Sequence, residues 1–181
     1  MTGERQLNPK SLPITLIGFM GCGKSTIGKN LAKILDVDFD DLDQLIEKHQ
    51  QLKIHEIFEK FGEDRFRNIE SDEFRNVFAR EKAEIIATGG GIVTNADNRD
   101  LLVSKGTCVF LNPPFEAILR RVRENINLRP LAKNSTENEF HDLWKKRLSL
   151  YLECASFSVD GVLSIADTAD IIARRIINSK C

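Results

Sequence analysis

Eight consecutive residues, Gly18-Phe19-Met20-Gly21-Cys22-Gly23-Lys24-Ser25, constrain this chain more than any other feature. They satisfy the pattern G-x-x-x-x-G-K-[ST] at every specified position, a coincidence expected in about 1% of chains this long. Glycines at these places let the backbone curl so that successive N–H groups face inward onto phosphate oxygens. A helix starting near Lys24 adds the positive end of its dipole. In such a turn Lys24 reaches the β- and γ-phosphates and the Ser25 hydroxyl ligates Mg²⁺. The surroundings agree: the apolar run Ile14-Thr15-Leu16-Ile17 precedes the turn as a strand, and Ile27, Leu31, Ile34 and Leu35 follow at helical spacing. The expected nucleotide contacts are Gly21, Cys22, Gly23, Lys24, Ser25 and Thr26. A dinucleotide fingerprint starting at Gly21 fails because Thr26 occupies its third glycine position. Cys22 reads as a small residue that fits the turn, against the alternative of a thiol activated by Lys24.

Short apolar segments alternate with helical ones along the rest of the chain. Strands are expected around Phe39, at Ile85–Ala87, at Cys108–Leu111 and at Phe157–Val159. Between them lie helices containing Leu42, Leu45 and Ile46, then Ile54–Phe61, Phe66–Arg80, Ala96–Val103, Phe115–Arg123, Phe140–Tyr151 and Ala169–Ile177. This alternation predicts an α/β sandwich around a parallel sheet. A polar arm over residues 1–13 precedes a single domain over 14–181, and the turn-rich stretch 125–139 is the one long loop, the sort that serves as a lid. With 41% hydrophobic and 29% charged residues the chain has enough apolar material for a core. Its 26 basic and 27 acidic residues argue against a nucleic-acid or membrane-surface partner. Cys22, Cys108, Cys154 and Cys181 show no metal-ligand or disulfide spacing, and the amino-terminal residues contain no apolar signal core, so a cytoplasmic protein is expected.

The segment from Asp36 to Glu47 is dense in carboxylates. Counting Asp36 as position 1 puts Asp38, Asp40 and Glu47 at positions 3, 5 and 12 of a calcium loop, but position 6 is Asp41 where glycine is required. The better reading sets Asp41 and Asp43 just past the second strand, at the carboxyl edge where parallel sheets bind ligands, with Asp36, Asp38 and Asp40 as solvated turn residues. Two residues apart, Asp41 and Asp43 can divide their work between Mg²⁺ or a reacting hydroxyl and the other hydroxyls of a substrate.

Three further pieces complete a pattern. Gly62-Glu63-Asp64-Arg65-Phe66-Arg67 is followed by Glu70 on the same helix face, Thr88-Gly89-Gly90-Gly91 ends a strand, and Arg129-Pro130-Leu131 lies in the polar loop, with Arg147 preceding Tyr151 on the helix beyond it. In this order, with FDDLDQLIE from Phe39, these blocks resemble the shikimate kinases over Ile14 to about Tyr151. The resemblance implies a three-layer α/β sandwich with a five-stranded parallel sheet, of the P-loop nucleoside-monophosphate-kinase type, with a mobile lid over about 123–140. It implies phosphorylation of the 3-hydroxyl of shikimate by ATP with Mg²⁺, in aromatic amino-acid biosynthesis, by a monomer.

Residue by residue, the resemblance assigns catalysis to Lys24, Asp41 and Arg129, with Arg129 also contacting the nucleotide from the lid. Asp43, Arg67, Gly90 and Arg147 bind shikimate, and Ser25 and Asp41 serve the metal, Asp41 through water. Glu70 supports the arginines. Residue chemistry is consistent with this, since a carboxylated polyol calls for arginine at the acid and aspartate at the hydroxyls. Two features depart from the family pattern: the arginine run at 120–123 stands one residue further from Arg129, and Leu148-Ser149 replace the usual proline. Rival readings are a gluconate-type kinase, which also takes a carboxylated polyol, and a nucleotide-sensing regulator.

Overall fold

The computed structural model describes residues 13–80, 82, 84–124, 136–160 and 163–178. Its sheet contains β1 (Ile14–Ile17), β2 (Asp38–Asp41), β3 (Glu84–Ala87), β4 (Thr107–Leu111) and β5 (Phe157–Val159), all parallel, in the order β2-β3-β1-β4-β5. Central strands β1, β3 and β4 are buried at every position, which explains why they read as short unbroken apolar runs. Side-chain alternation sends neighbours to opposite faces. Leu16, Ile85 and Val109 join Ile27, Leu31, Ile172 and Ile176 on one face, while Ile17, Ile86 and Phe110 join Leu42, Phe74 and Tyr151 on the other.

The first face is covered by α1 (Lys24–Leu35) and the final helix α7 (Ile165–Asn178). Helices α2 (Leu42–Gln50), α3 (Ile54–Phe78), α4 (Ala96–Ser104) and α6 (Glu137–Cys154) supply the second core, and α5 (Phe115–Glu124) packs beside the glycine turn that follows β1. The expected three-layer α/β sandwich is thus present. Strand β1 has β3 on one side and β4 on the other, so the chain order reverses at its carboxyl end. That is the place in an open parallel sheet where adjacent connections diverge and leave a crevice, and the Gly18–Ser25 turn occupies it.

Several expectations need correction. The stretches Ile54–Phe61 and Phe66–Arg80 are two helical segments, as expected, but within α3 they meet directly at a kink at Gly62, whose φ of 80° and ψ of 173° no helix interior accommodates, and the second ends at Phe78. Glycine takes that conformation without a Cβ penalty, so one residue redirects the helix and residues 63–65 stay helical. The last two helices begin earlier than apolar spacing indicates. α6 starts at Glu137, three residues before Phe140, capped by Thr136, whose hydroxyl forms a capping box with Glu139, and α7 starts at Ile165 rather than Ala169. Asp38 and Asp40 are β2 residues paired with Lys82 and Arg80, and Asp36 is the left-handed cap of α1.

Candidate active site

The phosphate turn is built almost wholly from backbone. Gly18, Gly21 and Gly23 have φ of 143°, 80° and 99°, left-handed values that close the loop ahead of α1. The first turn of α1 carries no acidic side chain, so its positive end is uncompensated, and Ser25 and Thr26 are exposed there. Lys24 is buried, its Nζ donating to the carbonyls of Gly18 at 2.7 Å and Phe19 at 3.1 Å. Cys22 is 1% exposed, and its Sγ would lie 2.9 Å from a Cβ on Gly18, which favours the reading of a small residue filling the turn. Arg121 of α5 donates to the carbonyl of Gly21 at 3.4 Å.

Beside this turn lies a cleft of about 530 Å³ whose walls come from α2, α3, the glycine turn after β3, and α6. Asp41 ends β2 and caps α2, its Oδ1 accepting from the N–H groups of Asp43 at 3.1 Å and Gln44 at 3.3 Å. Those bonds hold the Asp41 carboxylate at the cleft wall, and Asp43 lines it from the first turn of α2. From α3, Arg67 donates to Glu70 at 2.7 Å and, by Nη2, to Glu63 at 3.0 Å. From α6, Arg147 donates to the carbonyl of Gly90 at 3.2 Å and lies over the Phe19 ring at 5.8 Å.

Thr88-Gly89-Gly90-Gly91 is glycine-rich because side chains already occupy the space beside it. A Cβ on Gly89 would stand 2.2 Å from Glu70 Oε1, and one on Gly91 would stand 2.1 Å from Arg67 Nη1. At Gly90 the neighbour is the phosphate turn itself, with Met20 N at 3.0 Å from the Cβ position. The cleft and the phosphate turn therefore meet at a seam of backbone on backbone.

The cleft's charges are expensive to bury, and the structure leaves their pairing unfinished. Burial works against the charge on Arg67, but Glu70 and Glu63 outweigh it and hold its pKa above the ordinary value. Arg147 is pulled below its ordinary value by burial, and Arg67 adds to that effect. Burial pushes the Glu70 carboxyl up, against the pull of Arg67 and Arg147. Glu70 Oε1 and Arg147 Nε are buried with no hydrogen-bond partner. An anionic, hydroxylated ligand would supply what this arrangement lacks.

Asp41, Asp43, Arg67, Glu70, Gly90 and Arg147 are thus gathered around one cleft, and Lys24 stands in the adjoining turn. Arg129 and the central part of the expected lid lie outside the described residues. Sequence reading missed Met20, Gln44, Lys53, His55, Phe58 and Phe66 on the cleft wall. Phe58 and Phe66, with ring centroids 4.6 Å apart, straddle the Gly62 kink, so helical spacing could not pair them. Lys53 and His55 stand at the start of α3, and nothing in their spacing marks them.

The family model for shikimate kinase matches residues 20–179. A shikimate kinase of Dictyoglomus turgidum is 39% identical over 149 residues, covering 81% of this chain and 86% of the relative. The solved structure of a shikimate kinase from Acinetobacter baumannii in complex with shikimate superposes with a TM-score of 0.86 at 37% identity, over 93% of this chain and 94% of the other. A gluconokinase from Sinorhizobium meliloti is similar in fold alone, at 14% identity and a TM-score of 0.56 over 95% of this chain and 94% of its own. The family match runs from the phosphate turn through every wall of the acceptor cleft to the last helix, and on that span the chain belongs to the shikimate kinase family.

Proposed function

We propose that this chain transfers the γ-phosphate of ATP to the 3-hydroxyl of shikimate, yielding shikimate 3-phosphate and ADP, in the chorismate route to aromatic amino acids. The observation that carries this reading is the pairing of two guanidinium groups, the half-buried Arg67 and the buried Arg147, with two aspartates, Asp41 and Asp43, in one cleft against the phosphate turn. A ligand with one carboxylate and several hydroxyls complements that set. The unpartnered Arg147 Nε and Glu70 Oε1 support it, because each needs a polar partner that the protein does not provide.

In this reading Arg67 and Arg147 clamp the carboxylate, and Glu70 holds Arg67 in place. Asp43 accepts from ring hydroxyls, and backbone at Gly90 meets the ring substituents. Asp41 stands at the reacting hydroxyl, where its capping bonds keep one face of the carboxylate fixed. Lys24 exchanges its bonds to the turn's carbonyls for phosphate oxygens, aided by N–H groups at Gly21 to Thr26 and the start of α1. Phosphoryl transfer depends mainly on positioning and charge neutralisation, which these groups supply. Arg129 adds positive charge from the lid on closure.

The Ser25 hydroxyl and the Asp41 carboxylate form a hard-oxygen donor pair that fits Mg²⁺, with Asp41 acting through water. When bound, Mg²⁺ neutralises charge on the β- and γ-phosphates. A monomer in the cytoplasm is part of the reading; the monomer rests on the family resemblance and the compartment on the cysteine pattern.

A coupled assay of ADP release with ATP and Mg²⁺ tests it. Release should depend on shikimate and be absent with gluconate. Turnover of gluconate without shikimate would move the chain to another acceptor on the same scaffold, and no turnover with either would favour a nucleotide-sensing role.

A further inference from the structure

Tyr151 stands one helical turn beyond Arg147 on α6, so the two side chains share a face. It is fully buried, with its ring stacked on Phe110 of β4 at a centroid distance of 5.0 Å and an interplanar angle of 22°. Its hydroxyl donates to the carbonyl of Gly90 at 2.5 Å, and the same oxygen accepts from Arg147 Nη1 at 3.2 Å. Burial pushes the phenol's pKa well up, so the hydroxyl remains a donor at neutral pH.

That carbonyl belongs to the peptide unit joining Gly90 to Gly91. A glycine run has no side chains to anchor it and samples more backbone conformations than any other sequence. Once two donors from α6 hold its oxygen, peptide planarity also sets the Gly91 N–H, which points to the opposite side. The unit sits at a junction. The Arg67 guanidinium packs directly on Gly91, and Met20 N of the phosphate turn abuts Gly90. A shift of this peptide therefore moves the surfaces on which both carboxylate-binding arginines rest.

We propose that Tyr151 is a positioning residue for the acceptor: by pinning the Gly90 carbonyl it holds the glycine turn and the Arg147 guanidinium in the arrangement that receives the substrate carboxylate. This rests on the assignment of Arg67 and Arg147 to that carboxylate. Tyr151 is fully buried behind the cleft rather than lining it, so its effect passes through the oxygen it shares with Arg147.

Tyr151→Phe keeps the ring and its stacking on Phe110 while removing the hydroxyl. The expected result is a KM for shikimate raised about tenfold, a KM for ATP within about twofold of the unmodified value, and a thermal midpoint lowered by no more than a few degrees. Calorimetric titration with shikimate should show the same loss without turnover. In an Arg147→Lys background the Tyr151→Phe penalty should shrink to less than about threefold, because the two residues act through one acceptor. An unchanged shikimate KM would overturn the proposal. So would equal rises in both KM values with a large fall in midpoint, which mark general loosening, or effects that multiply fully in the double variant. If the unmodified chain fails to turn over shikimate, the acceptor assignment falls and takes this role with it. A chain active on shikimate with an indifferent Tyr151→Phe removes only the role of Tyr151.

Discussion

The phosphate turn and the acceptor cleft lie against each other, yet they are made by opposite means. The turn is eight contiguous residues whose working groups are backbone N–H donors, one lysine and a helix end, all placed by local φ angles. The cleft draws Asp41 and Asp43 from the β2–α2 junction, Arg67 and Glu70 from α3, Gly90 from the turn after β3 and Arg147 from α6, and depends on buried charges. A change in the turn removes chemistry while the fold keeps its support. A change in the cleft leaves a desolvated partner behind, and so touches binding and stability together.

The largest expected effect comes from the turn. Lys24→Met should lower turnover by roughly 10³-fold or more while shikimate binding, followed by calorimetry, stays near the unmodified value. Loss of shikimate binding in this variant would break the contrast, by showing that the cleft needs the lysine that supports the neighbouring carbonyls of Gly18 and Phe19.

On the cleft side, Asp43→Ala should raise the KM for shikimate by roughly 10- to 100-fold, the range for a lost charged hydrogen bond, with the KM for ATP unchanged. Steady-state kinetics in both substrates check this. Equal weakening of both would mean that the seam at Gly90 and Met20 transmits damage from one side to the other.

A smaller effect lies at the opposite edge of the sheet, where Glu84 begins β3. Burial and the neighbouring charge of Asp40 push its pKa up from 4.5 to about 7. Between those values the folded chain keeps a proton that the unfolded chain releases, so stability falls as pH rises from about 4.5 to about 7 and levels off above. Glu84→Gln removes that penalty. Thermal or urea unfolding should show it stabilised by roughly 1–2 kcal/mol at pH 8, part of the linkage being screened by Lys82 and Arg80, and nearly neutral at pH 4. A gain of the same size at both pH values would dissociate the effect from titration.

Much of the fold was legible because its units are local. β1, β3 and β4 are buried on both faces and read as short apolar runs, and α1 follows its glycine turn at clear helical spacing. Helix ends were less legible. α6 starts at a Thr136–Glu139 capping box placed before any core residue, and the second segment of α3 resumes directly after Gly62, well before its first buried residue, Phe66. Asp38 and Asp40 looked like turn residues because their partners, Lys82 and Arg80, lie some forty positions away.

By itself the sequence determined the phosphate turn, because glycine φ preferences and a helix start act within a few residues. Through the order of its motifs it also determined the family. Only the tertiary structure decided that Glu70 and Arg67 press on glycines 89 and 91, that Phe58 and Phe66 close one wall, and that Arg147 and Tyr151 share one carbonyl oxygen. These relations depend on how helices cross the sheet, and close packing between distant segments carries no periodic signal along a single chain.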